Sequence, residues 1–276
     1  MKIGDLGRKG MTNDVCGLCG FSGKLSRTHI PPKAAGNQGR ARRLHEFIDE
    51  HGTSSVQLKN VGGGGGGWGR WLCAKCNGKT GQWDEEYGTW SRNLVLALHD
   101  AGVQPGRALP MYLRNVAPGA VVRAMWAWMF ALDPSLREAE PDLAAAVLSG
   151  HPVESPSDVK LVIGATTSLG IWVSGQVGGQ AFRTPTGRSR GYTTPSGIRV
   201  PGTKEVDSPE VAVSSPPFVV LLARTDDETQ VQYTDTAEWL RESARDRRDV
   251  NLLLSVVRGL EKLDELALVT YEELVQ

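Results

Sequence analysis

All four cysteines of the chain fall in its first 76 residues, as two Cys-x-x-Cys pairs, Cys16/Cys19 and Cys73/Cys76. At this spacing two thiolates share one tight turn, and two such turns complete the tetrahedral all-cysteine site that zinc accepts. Met1–Gly10 carries charges at positions 2, 5, 8 and 9 with no apolar run behind them, so no secretory leader is read and the chain is expected to start here, in the cytoplasm. In that setting metal binding is favoured over disulfides, with free thiols or a redox pair as the other uses of the same residues. The 53 residues between Cys19 and Cys73 exceed the commonest zinc-ribbon spacing, so an insertion is looped out between the pairs, and it contains His29.

Positioning these residues requires a small fold, expected over 1–90 as short hairpins around one helix. Arg40–Glu50 reads as a basic helical patch, Ser54–Asn60 as a strand, and Gly62–Gly67 as a loop, because six glycines cannot hold regular structure cheaply. From 91 to 150 the pattern is that of a helical connector. Ser91 is placed as an N-cap, and a second apolar helix, Ala120–Leu132, lies between Pro118-Gly119 and Pro134. Its Met125, Trp126, Trp128 and Met129 predict burial on all sides.

Residues 151–276 read as an α+β domain. Val159–Gly164, Leu169–Gly175 and Phe218–Arg224 are predicted strands, and Thr184–Gly202 a long loop. Thr234–Glu238 looks like a helix start, and the apolar residues from Leu252 to Leu263 outline closing amphipathic helices. The fold class is therefore α+β: an N-terminal zinc-stabilised module, central helices, and a C-terminal β-rich part closed by helices. With 276 residues the chain is no disulfide-stapled miniprotein, and Gly119–Leu132, broken by Arg123, is too short to span a bilayer, so a membrane role is excluded.

What stands around the cysteine pairs carries a resemblance. Cys16-Gly-Leu-Cys19-Gly20, then Leu25-Ser-Arg-Thr-His29-Ile-Pro-Pro32, then Leu72-Cys73-Ala-Lys-Cys76-Asn77-Gly-Lys-Thr-Gly81 resembles the zinc-containing branch of the HNH endonuclease family over about residues 12–81. The resemblance implies a ββα-metal fold, a relative of the treble clef. It implies that His29 is the general base that deprotonates the attacking water, and that Asn77 holds a catalytic divalent ion, Mg²⁺ or another. Cys16, Cys19, Cys73 and Cys76 would bind a structural Zn²⁺. Thr28 stands where the family commonly has an Asp, Glu or His ligand. No Asn falls near Trp68–Trp71, where the family's middle Asn would be, which leaves Asn37 and Asn60 as candidates if their loops fold back. Asp84, Glu85 and Glu86 could supply the missing ligand, or form a solvated charge run. Asn77 could equally be a helix N-cap. Modules of this kind often occur in bacterial or phage proteins concerned with mobile DNA or host defence.

The charge of the whole chain, 31 basic against 31 acidic residues, hides an asymmetry. Residues 1–80 hold 13 Lys/Arg and five acids, an excess of eight that the rest of the chain cancels. Lys24, Arg27, Lys33, Arg40, Arg42, Arg43, Lys75 and Lys79 gather around His29 and the second cysteine pair, where they could neutralise phosphates, and the expected partner is nucleic acid, DNA first. Two functions remain at this point: a metal-dependent HNH-like endonuclease, or a non-catalytic zinc-finger module of that descent binding nucleic acid or protein. A third possibility places the function in the second half, around Arg183–Arg199.

Overall fold

The structure is a computed structural model that describes residues 11–12, 15–37, 41–48, 54–61, 68–101, 108–166, 170–174, 176–177, 180–181, 212–215, 218–224, 234–257 and 269–270. The expected loops Gly62–Gly67 and Thr184–Gly202, together with Arg40, Leu260 and Leu263, lie outside the described residues. The chain is mixed α and β, as its sequence predicts.

The N-terminal part contains a three-stranded sheet in the order β1 (Met11–Thr12), β5 (Trp68–Leu72), β2 (Ser26–His29). β2 runs antiparallel to β5, pairing Thr28 with Gly69 and His29 with Trp68. A short turn, Lys33–Ala35, follows β2. The expected basic helix is instead a strand, β3 (Ala41–Ile48), paired antiparallel over its whole length with β4 (Ser54–Val61). Pairing with β4 satisfies its backbone groups, which a short polar helix in this insertion would have left to water.

From Cys73 the chain enters α1 (Ala74–Ala101), 28 residues that pass straight through position 90. Ser91 is thus no cap but a buried residue inside the helix. Trp83, Tyr87, Trp90 and Leu94, spaced four, three and four apart, give the helix one buried face. Gly88 lies against the Lys33–Ala35 turn, where a Cβ would stand 2.7 Å from the Ala34 carbonyl oxygen. After β6 (Ala108–Val116) comes α2 (Pro118–Leu132), all 15 of whose residues are buried. Short helices α3 (Leu136–Ala139) and α4 (Pro141–Ser149) close around it. No helix among the described residues is long and apolar enough to cross a membrane.

The C-terminal strands are β7 (Val159–Thr166), β8 (Gly170–Ser174), β9 (Gln176–Val177), β10 (Gln180–Ala181), β11 (Ala212–Ser215), β12 (Phe218–Arg224), β13 (Thr234–Asp235), β14 (Arg248–Val257) and β15 (Val269–Thr270). They form, with β6, a sheet ordered β15-β8-β11-β12-β7-β14-β6, β13 pairing β7 and β9–β10 forming a separate pair. The only described helix after the first strands of this part is α5 (Ala237–Leu240). The closing helices expected over Leu252–Leu263 are, as far as Val257, the strand β14. Val250, Leu252, Leu254 and Val256 are buried, while Asn251 and Leu253 are exposed, a period of two that fixes a half-buried strand. Sheet and helices meet through aromatic rings: Trp90 of α1 stacks on Phe218 of β12 with centroids 4.0 Å apart, and Tyr87 meets Trp128 edge-on at 4.6 Å. Arg123, wholly buried in α2, donates to the carbonyls of Gly119, His151 and Leu240, binding the helix to both flanking loops.

Candidate metal centre

The first cysteine pair sits on a turn that its own backbone closes. The Cys16 N–H donates to the Phe21 carbonyl at 2.9 Å and the Gly20 N–H to the Cys16 carbonyl at 2.8 Å. Gly20 has φ +71°, the left-handed conformation that glycine adopts without strain. The Gly17 N–H donates to the Trp71 carbonyl, which fastens the turn to β5. Gly17 also touches α2 so closely that a Cβ would fall 1.9 Å from the Phe130 carbonyl oxygen. The second pair lies where β5 gives way to α1, and Cys73 Sγ accepts the Cys76 N–H at 3.4 Å, so a sulfur occupies the capping role at the helix start.

These two turns bring all four sulfurs within 4.8 Å of one another, and Cys19 and Cys73 to 3.7 Å. A tetrahedral site with metal–sulfur bonds of ~2.3 Å needs sulfurs about 3.8 Å apart, so the spacing fits a metal ion such as zinc. The electrostatics agree. The Cys76 thiol donating to Cys16 holds Cys16 down, to about 4. The same contact, with burial, pushes Cys76 well up, and burial raises Cys19. Four sulfurs this close cannot all be thiolates by themselves, and a divalent cation between them removes that conflict. Cys19 is exposed, whereas Cys16, Cys73 and Cys76 are buried.

The other expected site residues stand around this centre. His29 is the last residue of β2, half-buried and paired in register with Trp68. Asn77 lies in the first turns of α1, and its Nδ2 donates to the Arg27 carbonyl at 3.0 Å, joining the helix start to β2 two residues before His29. It is not the N-cap, since the residue before the helix is Cys73. Thr28 is buried, and its Oγ1 finds no hydrogen-bond partner among the described residues. The loop after β2 does fold back: Asn37 is fully buried and its Nδ2 donates to the Pro31 carbonyl at 2.7 Å. The Asn60 side chain lies outside what is described.

The acids of α1 divide. Glu86 accepts from the Ala117 N–H at 3.0 Å and pairs with Arg247 at 2.9 Å, which commits it to the junction of β6 and α2. Burial pushes the Asp84 carboxyl up to about 7. Glu85 alone is exposed. The solvated charge run is thus true of one residue in three, and Glu86 is spent on structure.

Of the basic residues, Lys24, Arg27, Lys33, Lys75 and Lys79 are exposed. Arg42 and Arg43 lie on β3 opposite Asn60 and Lys59, and Arg40 is outside the described residues. Residues missed in the sequence are Trp68, whose ring lies 4.4 Å beneath the Arg27 guanidinium, and Phe21, an exposed ring on the first cysteine turn. An aromatic residue within two positions of a cysteine knuckle was the available signal. Comparison with protein-family models, with curated proteins and with solved structures finds no match for this chain.

Proposed function

We propose that the chain is a metal-dependent endonuclease of HNH type, hydrolysing nucleic-acid phosphodiesters, and that its N-terminal unit is a ββα-metal, treble-clef arrangement stapled by zinc. The observation that carries this reading is the Asn77–Arg27 hydrogen bond across the start of α1 and the end of β2. It puts the amide of Asn77 beside the strand that ends in His29, in a unit ordered strand, strand, helix with four sulfurs at the strand–helix junction. Zinc on those sulfurs would supply folding free energy and no chemistry. A hard divalent ion such as Mg²⁺ beside His29 and Asn77 would offset charge on the scissile phosphate and the leaving oxygen.

The chain's own residues do the rest. An imidazole accepts a proton near neutral pH, so His29 takes the proton of the water whose oxygen attacks phosphorus. As that bond forms, the bond from phosphorus to the ester oxygen breaks, and the leaving oxygen is protonated from solvent. Asn77 Oδ1 is an acceptor whose direction is fixed by the donation of its Nδ2 to Arg27. Lys75 and Lys79, exposed on the first turns of α1, are placed to meet phosphates of the bound strand, DNA in the first instance. A clustered set of free thiols fits a reducing compartment such as the cytoplasm.

One observation favours the second reading, a zinc-containing binding module without activity. Thr28, before His29, is buried and offers only a neutral hydroxyl, a poor ligand for a hard cation. The two readings separate in a cleavage assay on supercoiled plasmid, linear DNA and RNA with Mg²⁺, Mn²⁺ or Ni²⁺, run beside His29→Ala of equal zinc content. Cleavage that falls by at least about a hundredfold in the variant supports the nuclease. Failure to cleave with any ion, in protein that keeps its zinc and fold, leaves the binding module.

A further inference from the structure

Two ring systems next to the metal centre do nothing for the core. Phe21 is 51% exposed, although its own carbonyl is fixed by the Cys16 N–H. Its ring lies over Gly23, where a Cβ would stand 2.6 Å from the ring carbon Cζ, so the chain gives the ring room by leaving position 23 bare. The second system is the Arg27 guanidinium over Trp68, with Arg27 exposed and Trp68 in register with His29. The indole holds one side of the guanidinium, which restricts a side chain that would otherwise lose entropy on binding. Lys24, exposed, lies between the two in sequence.

We infer that Phe21, Lys24 and the Arg27–Trp68 pair form a track for single-stranded nucleic acid that leads along β2 to His29. The choice of nucleic acid as partner rests on the function proposed above; the choice of an unpaired strand rests on these residues. A phenyl ring and an indole-backed guanidinium are planes on which bases stack without regard to sequence, and a duplex hides the faces of its bases inside its own stack. Lys24 meets the phosphates between them, within a segment that carries an excess of eight basic charges over residues 1–80. A peptide partner would have little use for alternating planes and cations on a surface without an apolar groove between them.

The test is binding, kept apart from cleavage. Full-length zinc-loaded protein without added Mg²⁺ is titrated with fluorescent twelve-nucleotide oligothymidylate, oligouridylate and a duplex of equal length. The inference expects tighter binding of at least one single strand than of the duplex, and quenching of Trp fluorescence on binding. Phe21→Ala should weaken single-strand binding by about tenfold while duplex binding changes less than about twofold. Phe21→Trp should restore it, and Arg27→Lys, which keeps the charge but loses the plane, should lose most of what Arg27→Ala loses. Zinc content equal to wild type in each variant excludes a folding defect. Equal losses for duplex and single strand, or unchanged binding in Phe21→Ala, would overturn the track. Duplex cleavage that depends on His29 with no single-strand binding overturns the track and leaves the nuclease standing; single-strand binding without cleavage does the reverse.

Discussion

Around the four cysteines, segments more than 50 residues apart in the chain are joined with few apolar side chains between them: Leu18, Leu25, Ile30, Trp71 and Leu72 are most of the fill. In α2 and the sheet behind it, every residue of a 15-residue helix is buried, and Trp90, Phe218, Trp128 and Tyr87 interlock as rings. The first region has the size of a unit that burial alone rarely stabilises, and the second has ample core. The contrast teaches where specificity of structure comes from in each. One region depends on coordinate bonds at a point, the other on area, and the two are welded where Gly17 abuts the Phe130 carbonyl and Arg137 donates to the Cys16 carbonyl at 3.2 Å.

That contrast is broken or sharpened most strongly by removing the metal. A chelator strong enough to strip zinc should unfold the cysteine region, because binding free energy at such sites is folding free energy. Amide hydrogen exchange reads both regions in one experiment. Protection of the Gly17, Gly20 and Asn77 amides, each hydrogen-bonded across a cysteine turn, should fall by about a hundredfold or more. The amides of Val121 and Asp133 in and after α2 should change by no more than a few fold. Equal loss in both regions would mean that one cooperative unit exists, and no loss in either would mean that the sulfurs hold nothing.

The same contrast governs what could be read from residues alone. The metal ligands were legible because cysteine pairs announce themselves by spacing, and α2 because Pro118, Pro134 and an unbroken apolar run bound it. The α1 helix was only half legible: Gly78, Gly81 and Gly88 lower its intrinsic propensity, so its start at Ala74 was hidden and Ser91 passed for a cap. β14 was misread because Leu252–Leu254 is a continuous apolar run whose period shows only in which members are buried. β3 was misread because its partner β4 supplies the hydrogen bonds that decide the matter, and pairing is invisible in a local window. The Asn77–Arg27 contact joins positions 50 apart, which no motif specifies.

A smaller effect tests the helix that bridges the two regions. Burial raises the Asp84 carboxyl from 3.8 to about 7, so across that interval the folded protein holds a proton that the unfolded chain has released. Stability from this group is therefore complete below about pH 4 and is lost as the pH climbs through 7. Asp84→Asn removes the dependence. Its midpoint of thermal unfolding should fall less than wild type between pH 5 and pH 8, and at pH 8 the variant should be more stable by on the order of 1 kcal/mol. Parallel slopes for the two proteins would show that Asp84 is ionised and solvated in the fold.

The smallest effects come from the glycines of α1, and they have opposite signs. Gly78 and Gly81, on the turns next to the cysteines, have nothing within 4 Å of where a Cβ would be. An alanine there removes backbone freedom from the unfolded chain at no steric cost, and each should stabilise by about 0.5–1 kcal/mol. Gly88 lies farther along the same helix, where a Cβ would approach Ala34 to 2.6 Å, backbone as well as side chain, so Gly88→Ala must push the Lys33–Ala35 turn away. It should destabilise by about 1–3 kcal/mol, by the cost of overpacking. Thermal unfolding of the three single variants decides the case. If Gly88→Ala is neutral, the turn after β2 gives way easily and the cysteine region is looser than its contacts indicate; if Gly78→Ala or Gly81→Ala destabilises, that face of the helix is covered in the folded protein.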